Sequence, residues 1–218
     1  MRSRKMEASR GHGFQDEVPE NHWSPERRRF AEQVGLLVRA LRSTEESVQD
    51  LAVAQITLLG TKVVPHLISA LEDALDESDL RQSARESMSS AERGIAGICS
   101  ALGIIRDSDA VVDLAAALPR KEAVEALAKI GGERALDMIM DTIENKPGLG
   151  GALDSYGAHS SWLASTADVD PAFVRRVFLH FGEVGRKRLQ KELASGSDSR
   201  RAAVEEIIRI MGDSDGLA

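Results

Sequence analysis

A single cysteine, one tyrosine and two tryptophans in 218 residues exclude several common designs. The lone thiol, Cys99, cannot build an internal disulfide framework and suits a reducing cytosol. Nor is there a second cysteine for a zinc pair. The five histidines (His12, His22, His66, His159 and His180) are scattered, and none sits in an H-E-x-x-H helix or beside a glutamate. No apolar run approaches the ~18–20 residues of a membrane span. The opening "MRSRKMEASRGHG" is basic but lacks the apolar core of a secretory signal. Runs of alternating polar and apolar β-formers are also missing, which argues against sheet. The net charge of −7 disfavours broad affinity for nucleic acid or anionic membrane.

What is present is aliphatic and helical. Hydrophobic residues make up 42% of the chain and aromatics only 4%, so small and branched side chains must pack the core. Residues 1–23 mix charges, glycines and histidines without apolar periodicity and read as a flexible tail. Order is expected from residue 24 to residue 218. In "SPERRRFAEQVGLLVRAL", Ser24 can cap, Pro25 suits the first helical position, and Phe30, Val34, Leu37, Val38 and Leu41 form one stripe. Thr44 offers the cap of a second helix that ends at Gly60.

One pattern then recurs: helix, tight corner, helix. Leu102–Ile105 passes through "RDSD" into "AVVDLAAAL", and Leu127–Ile130 passes through "GGER" into "ALDMIMDTI". At a constant offset of 127 − 102 = 25 residues, Leu102, Ile105, Ala110, Val111, Leu114 and Leu118 match Leu127, Ile130, Ala135, Leu136, Ile139 and Ile143. An earlier copy runs through Gly60 into "VVPHLISAL". A fainter one lies at "FLHFGEVGRKRLQKEL", and "IIRIMGDSDGLA" repeats a helix end and corner. Gly60, Gly131, Gly182 and Gly212 fall where a helix must stop and the chain must turn. Asp107, Ser108, Asp109, Asp213, Ser214 and Asp215 fall where orphan amides of the next helix need oxygen acceptors. The paired aspartates of "RDSD" are therefore read as caps rather than reagents.

The unit at Leu102–Leu118, L-G-x-I-x-D-x-x-A-V-x-x-L-x-x-A-L, resembles a HEAT repeat of the short type found in phycobilisome lyases. "GTKVVPHLISAL" at Gly60–Leu71 is similar to the variant with proline in the second helix. The resemblance covers residues 56–143 strongly and 171–218 more faintly. It implies an all-α fold, an armadillo-like α-solenoid in which antiparallel helix pairs stack into a right-handed superhelix. It also implies a concave face, lined by the second helices, that binds partners. The missing His-Glu pairs count against the deoxyhypusine hydroxylase branch of that family, whose iron ligands they are.

Two stretches break the period. "DALDESDLRQSARESMSSAERG" lengthens or splits the first helix of the second unit, and an insertion spans about residues 146–170. The insertion gathers Tyr156, His159 and Trp162 and is the most conspicuous protrusion for a functional role. "GLGG" within it lacks P-loop spacing. Cys99, in an alanine- and glycine-rich stretch, reads as a small buried hydrophobe. His180, between Leu179 and Phe181, reads as a packed or capping side chain.

These readings lead to a non-enzymatic, cytoplasmic scaffold with no cofactor and no metal, binding another protein through protein–protein contacts on its concave face. Outward positions on the second helices supply the expected contacts: Asp113, then Asp137, Met138 and Asp141, then Lys187, Arg188 and Lys191, with Tyr156 and Trp162 from the insertion. A HEAT-type DNA glycosylase is the competing enzyme reading. It would use the basic region around Arg175–Arg176, Arg186–Lys187–Arg188–Lys191 and Arg200–Arg201. A bilin lyase or chaperone-like role is implied by the repeat type alone.

Overall fold

The computed structural model describes residues 24–81, 89–142 and 170–212. Tyr156, Trp162, Ile143, the 1–23 tail and the Asp213–Asp215 corner lie outside them. Among the described residues there are nine α-helices and no strand. They are α1 (Pro25–Ala40), α2 (Glu46–Leu59), α3 (Val64–Arg81), α4 (Ser90–Ile105), α5 (Val111–Ala116), α6 (Lys121–Ile130), α7 (Gly132–Asp141), α8 (Pro171–Ser195) and α9 (Asp198–Gly212).

Each unit forms as its local chemistry dictates. Ser24 Oγ accepts from Arg27 N at 3.3 Å, with Pro25 in the first helical position. Asp170 Oδ1 accepts from Ala172 N at 2.9 Å ahead of Pro171. Thr44 is not the cap of α2. The N-cap is Glu45, whose side chain makes no capping bond, and Ser43 Oγ takes the Glu45 amide instead. At the "RDSD" corner Asp107 Oδ1 accepts from Asp109 N at 3.0 Å, so this carboxylate is a cap.

The corners use positive φ, at Gly60 (67°), Gly131 (77°) and Gly182 (51°). Gly182 breaks α8 into two arms at a positive-φ corner like those at Gly60 and Gly131. At the corner that lacks a glycine, Arg106 takes the left-handed conformation at φ 59°, and its amide closes on Leu102 O at 3.0 Å. Residues Glu46–Ser78 are apolar and helical enough to meet the length and composition of a membrane span. They do not form one rod, because Gly60 and a 3-10 turn at Gly60–Val63 divide them into α2 and α3.

The 25-residue offset holds in three dimensions. Leu102 and Leu127 are fully buried, as are Ala110 with Ala135, Val111 with Leu136, and Leu114 with Ile139. Ile105 and Ile130 are half-buried against the same core. First helices stack in the order α2, α4, α6 and α8, while α3, α5, α7 and α8 make the second layer. This is a HEAT-like α-solenoid. Gly103 of α4 sits so close to α6 that a Cβ there would lie 2.8 Å from Ala126 Cα. The irregular stretch after α3 splits between units: α3 runs on to Arg81, and α4 starts afresh at Ser90 behind the Ser89 cap. Stacking resumes beyond the second interruption, since α8 packs on α6 and α7. Lys121 Nζ stands 5.0 Å over the Phe173 ring, and Arg176 bonds Glu125 at 2.9 Å.

Candidate functional site: the groove between α7 and α8

The second-helix layer opens into a groove of about 360 Å³ lined by Glu133, Leu136, Asp137, Val184, Lys187, Arg188 and Lys191. Its two walls follow from helical spacing. The positive φ of Gly131 and Gly132 launches α7, so Glu133 and Asp137, one turn apart, share a wall above buried Leu136. The Gly182 break launches the second arm of α8, which puts Val184, Lys187, Arg188 and Lys191 on the other wall. Four of the sequence-derived contact positions thus meet in one place: Asp137, Lys187, Arg188 and Lys191.

Their charges are not equivalent. Arg188 Nη1 lies 2.7 Å from Asp137, and its Nε donates to Glu192 at 2.9 Å. Glu192, 9% exposed, also holds Arg200 at 2.7 Å, and Arg200 reaches toward Asp141 at 3.8 Å. An alternating network, Asp137–Arg188–Glu192–Arg200–Asp141, therefore sutures α7, α8 and α9. Sequence reasoning placed Asp137 and Arg188 on a partner-facing surface with a change of sign along the chain. The structure pairs them across the interface, so much of that change of sign is satisfied internally. Glu192 carried no sequence signal, because its role depends on distances between units.

Lys187 and Lys191 are exposed, and neither has a carboxylate in ion-pair range among the described residues. Glu133, at the mouth, is exposed too. The spare charge of the groove is one acid against two bases, over an apolar floor of Leu136 and a rim of Val184. This arrangement has charge and shape but no nucleophile–base pair.

The other positions fall elsewhere. Met138 is half-buried against the core rather than outward, because it adjoins buried Ile139 and follows buried Ala135 by three positions, at the edge of the face of α7 that turns toward the core. Asp113 is half-buried on α5, outside the groove. His180 is exposed, neither packed nor a cap: the buried face of this arm is taken by Val177, Phe178 and Phe181. Cys99 is fully buried, and burial pushes its thiol up to about 12, with the nearby Glu122 charge adding to the rise. It stays a protonated small hydrophobe. Among the described residues no group of His, Cys, Asp or Glu is arranged to hold a metal ion.

A second polar cluster ties the solenoid higher up. Arg120, just ahead of α6, grips Glu92 through Nε at 3.3 Å and Nη2 at 3.2 Å, and Nη2 also donates to Ser78 Oγ at 3.2 Å. Ser78, 3% exposed, donates to the same carboxylate. Burial alone raises the Glu92 pKa. Hydrogen bonds from Arg120 and Ser78 and the Arg120 charge outweigh it and hold the group below the ordinary carboxylate value.

Residues 119–145, which contain α6 and α7, match the family model of the PBS lyase HEAT-like repeat. The chain is a HEAT-like repeat protein. The match falls on the unit that forms one wall of the groove, and the helix pairs before and after this repeat stack on it as successive HEAT-like units. No curated protein matches the chain.

Proposed function

We propose that this HEAT-like repeat protein is a non-enzymatic scaffold that binds an acidic segment of another protein in the groove between α7 and the second arm of α8. The observation that carries the reading is the division of labour among the groove cations. Arg188 is held by Asp137 and Glu192 and fixes the wall, while Lys187 and Lys191 extend from it toward solvent. A braced wall with two exposed cations over an apolar floor suits a carboxylate-bearing segment that places one apolar side chain on Leu136. Binding to a preformed groove costs little ordering of the scaffold.

The same geometry weakens the DNA-glycosylase alternative. Of the basic region noted in the sequence, Arg176 pairs with Glu125, Arg186 with Glu183, Arg188 with Asp137, Arg200 with Glu192 and Arg201 with Asp198. Arg175 donates to the carbonyl of Ile210. Cations already neutralised by neighbours release few counterions on a phosphate backbone.

Affinity capture from native lysate with the full chain, followed by mass spectrometry, tests the reading. The double variant Lys187→Glu/Lys191→Glu should lose the partner while keeping the helical circular dichroism spectrum. Capture that survives this double reversal sinks the groove as the binding site.

A further inference from the structure

The outer face of α2 is the feature that the groove does not explain. Ser47, Leu51, Ala54 and Leu58 lie at helical spacing on one line, opposite the buried Ala52 and Ile56. Leu51 is 59% exposed and Leu58 86% exposed, and Leu36 on the adjoining α1 is turned outward at 61%. A row of exposed leucines on adjoining helices is an apolar patch that calls for a cover.

We propose that a second copy of this chain covers this face, with the two α2 helices packed antiparallel about a two-fold axis near Ala54. The register follows from the strip itself. A two-fold between Ala54 and Gln55 sets Leu51 of one copy on Leu58 of the other, with small Ala54 at the crossing where backbones come closest. Self-pairing also demands a surface complementary to itself, and the charges supply it.

The hairpin α1–α2 has unlike ends. Its connecting end carries exposed Glu45, Glu46 and Asp50. Its other end carries exposed Arg27, Arg28 and Arg29 from the start of α1 and Lys62 from the turn after α2. Phe30 and His66, with ring centroids 5.7 Å apart, show that the start of α1 and the chain just past α2 share that end. Arg39 and Glu26 dilute the two ends without reversing either sign, and Arg42 at the acidic end is occupied by Glu77 at 2.7 Å. An antiparallel pair lays the acidic end of each copy along the basic end of the other.

Sedimentation equilibrium of the full chain is the test. A species of twice the 23.6 kDa chain mass is expected. Leu51→Glu/Leu58→Glu should weaken association by at least about a hundredfold, since each introduced charge takes the place of a buried leucine on both copies. Glu46→Lys should weaken it less, and adding Lys62→Glu should restore it. A full chain that stays monomeric at every concentration overturns the proposal. So does a dimer indifferent to the leucine change, or one that the paired charge swap fails to restore. A monomer that binds anionic vesicles through these leucines overturns it in favour of a lipid surface. A monomer that dimerises only after residues 1–23 are removed overturns it in favour of the tail as the cover.

Discussion

Two seams of the solenoid are built on opposite terms. Between α4 and α6 there is no space for a methyl group: Gly103 meets the Ala126 backbone, and fully buried Leu102 and Leu127 lie along the same seam. Between α7 and the second arm of α8 an open groove remains, bridged by the Arg188–Asp137 ion pair that Glu192 braces from α8. The dry seam supplies the stability of the stack, because close-packed aliphatic contact has no competitor in water. The charged seam keeps a surface available, because ion pairs hold two helices in register without filling the gap between them. A repeat protein can thus close one layer completely and leave an open surface on the other.

Substitutions should pull that comparison apart, beginning with the dry seam. Leu127→Ala removes a fully buried side chain and should destabilise the chain by about 2–5 kcal/mol in urea unfolding. An effect near zero would mean that the two seams do not differ as described. Gly103→Ala should cost about 1–2 kcal/mol net, even though alanine is the better helix former, because the added Cβ meets backbone that cannot step aside. Stabilisation by Gly103→Ala would show that α4 and α6 can separate freely.

The charged ties should prove weaker and conditional. The Glu92 pKa is depressed in the folded state, so its contribution is fully present above the ordinary carboxylate value and is lost as pH falls through the acid range. Chemical unfolding of the wild type at neutral pH and near pH 3–4 should show a larger loss than in Glu92→Gln, where this titration is removed. Equal losses would discount Glu92 as an acid-sensitive tie. Smallest of all, Arg106→Gly should raise stability by about 0.5–1 kcal/mol, since glycine takes the left-handed corner without a Cβ penalty. Loss of stability there would mean that the arginine side chain does more than complete a turn.

Much of this was legible in the chain before any coordinates, for reasons that are local. Helix stops at Gly60, Gly131 and Gly182 announce themselves because left-handed backbone selects glycine, and the caps at Ser24 and Asp107 because orphan amides select short oxygens. The 25-residue register is visible because apolar residues recur at the same places, with alanine at the same tight position, Ala110 and Ala135. Arg106 was illegible as a left-handed corner because nothing in an arginine declares a positive φ. Thr44 reads as the cap of α2, but the N-cap is Glu45 and the oxygen that takes its amide is that of Ser43, a shift of one residue that only backbone placement decides. The groove is the middle case. Its members were recognisable as polar positions on second helices, but which cations stay available depends on Glu192 and Arg200, which approach from another unit. Met138 and His180 fail for a related reason: at a kink or a short helix, one residue of phase exchanges inside for outside.

The bond between Ser78 and Glu92 has a practical corollary for anyone who wishes to alter this chain. It pins the two sides of the crossing from the first hairpin to the second, while Arg120 clamps the same point from the third. The packing of α3 on α4 is thereby held by side chains of the helices themselves, whatever the length of the connection between them. Doubling the length of such a connection adds only about 0.6 kcal/mol of closure entropy. That crossing is the place to splice in a reporter, an epitope or a whole guest domain and leave the stack undisturbed.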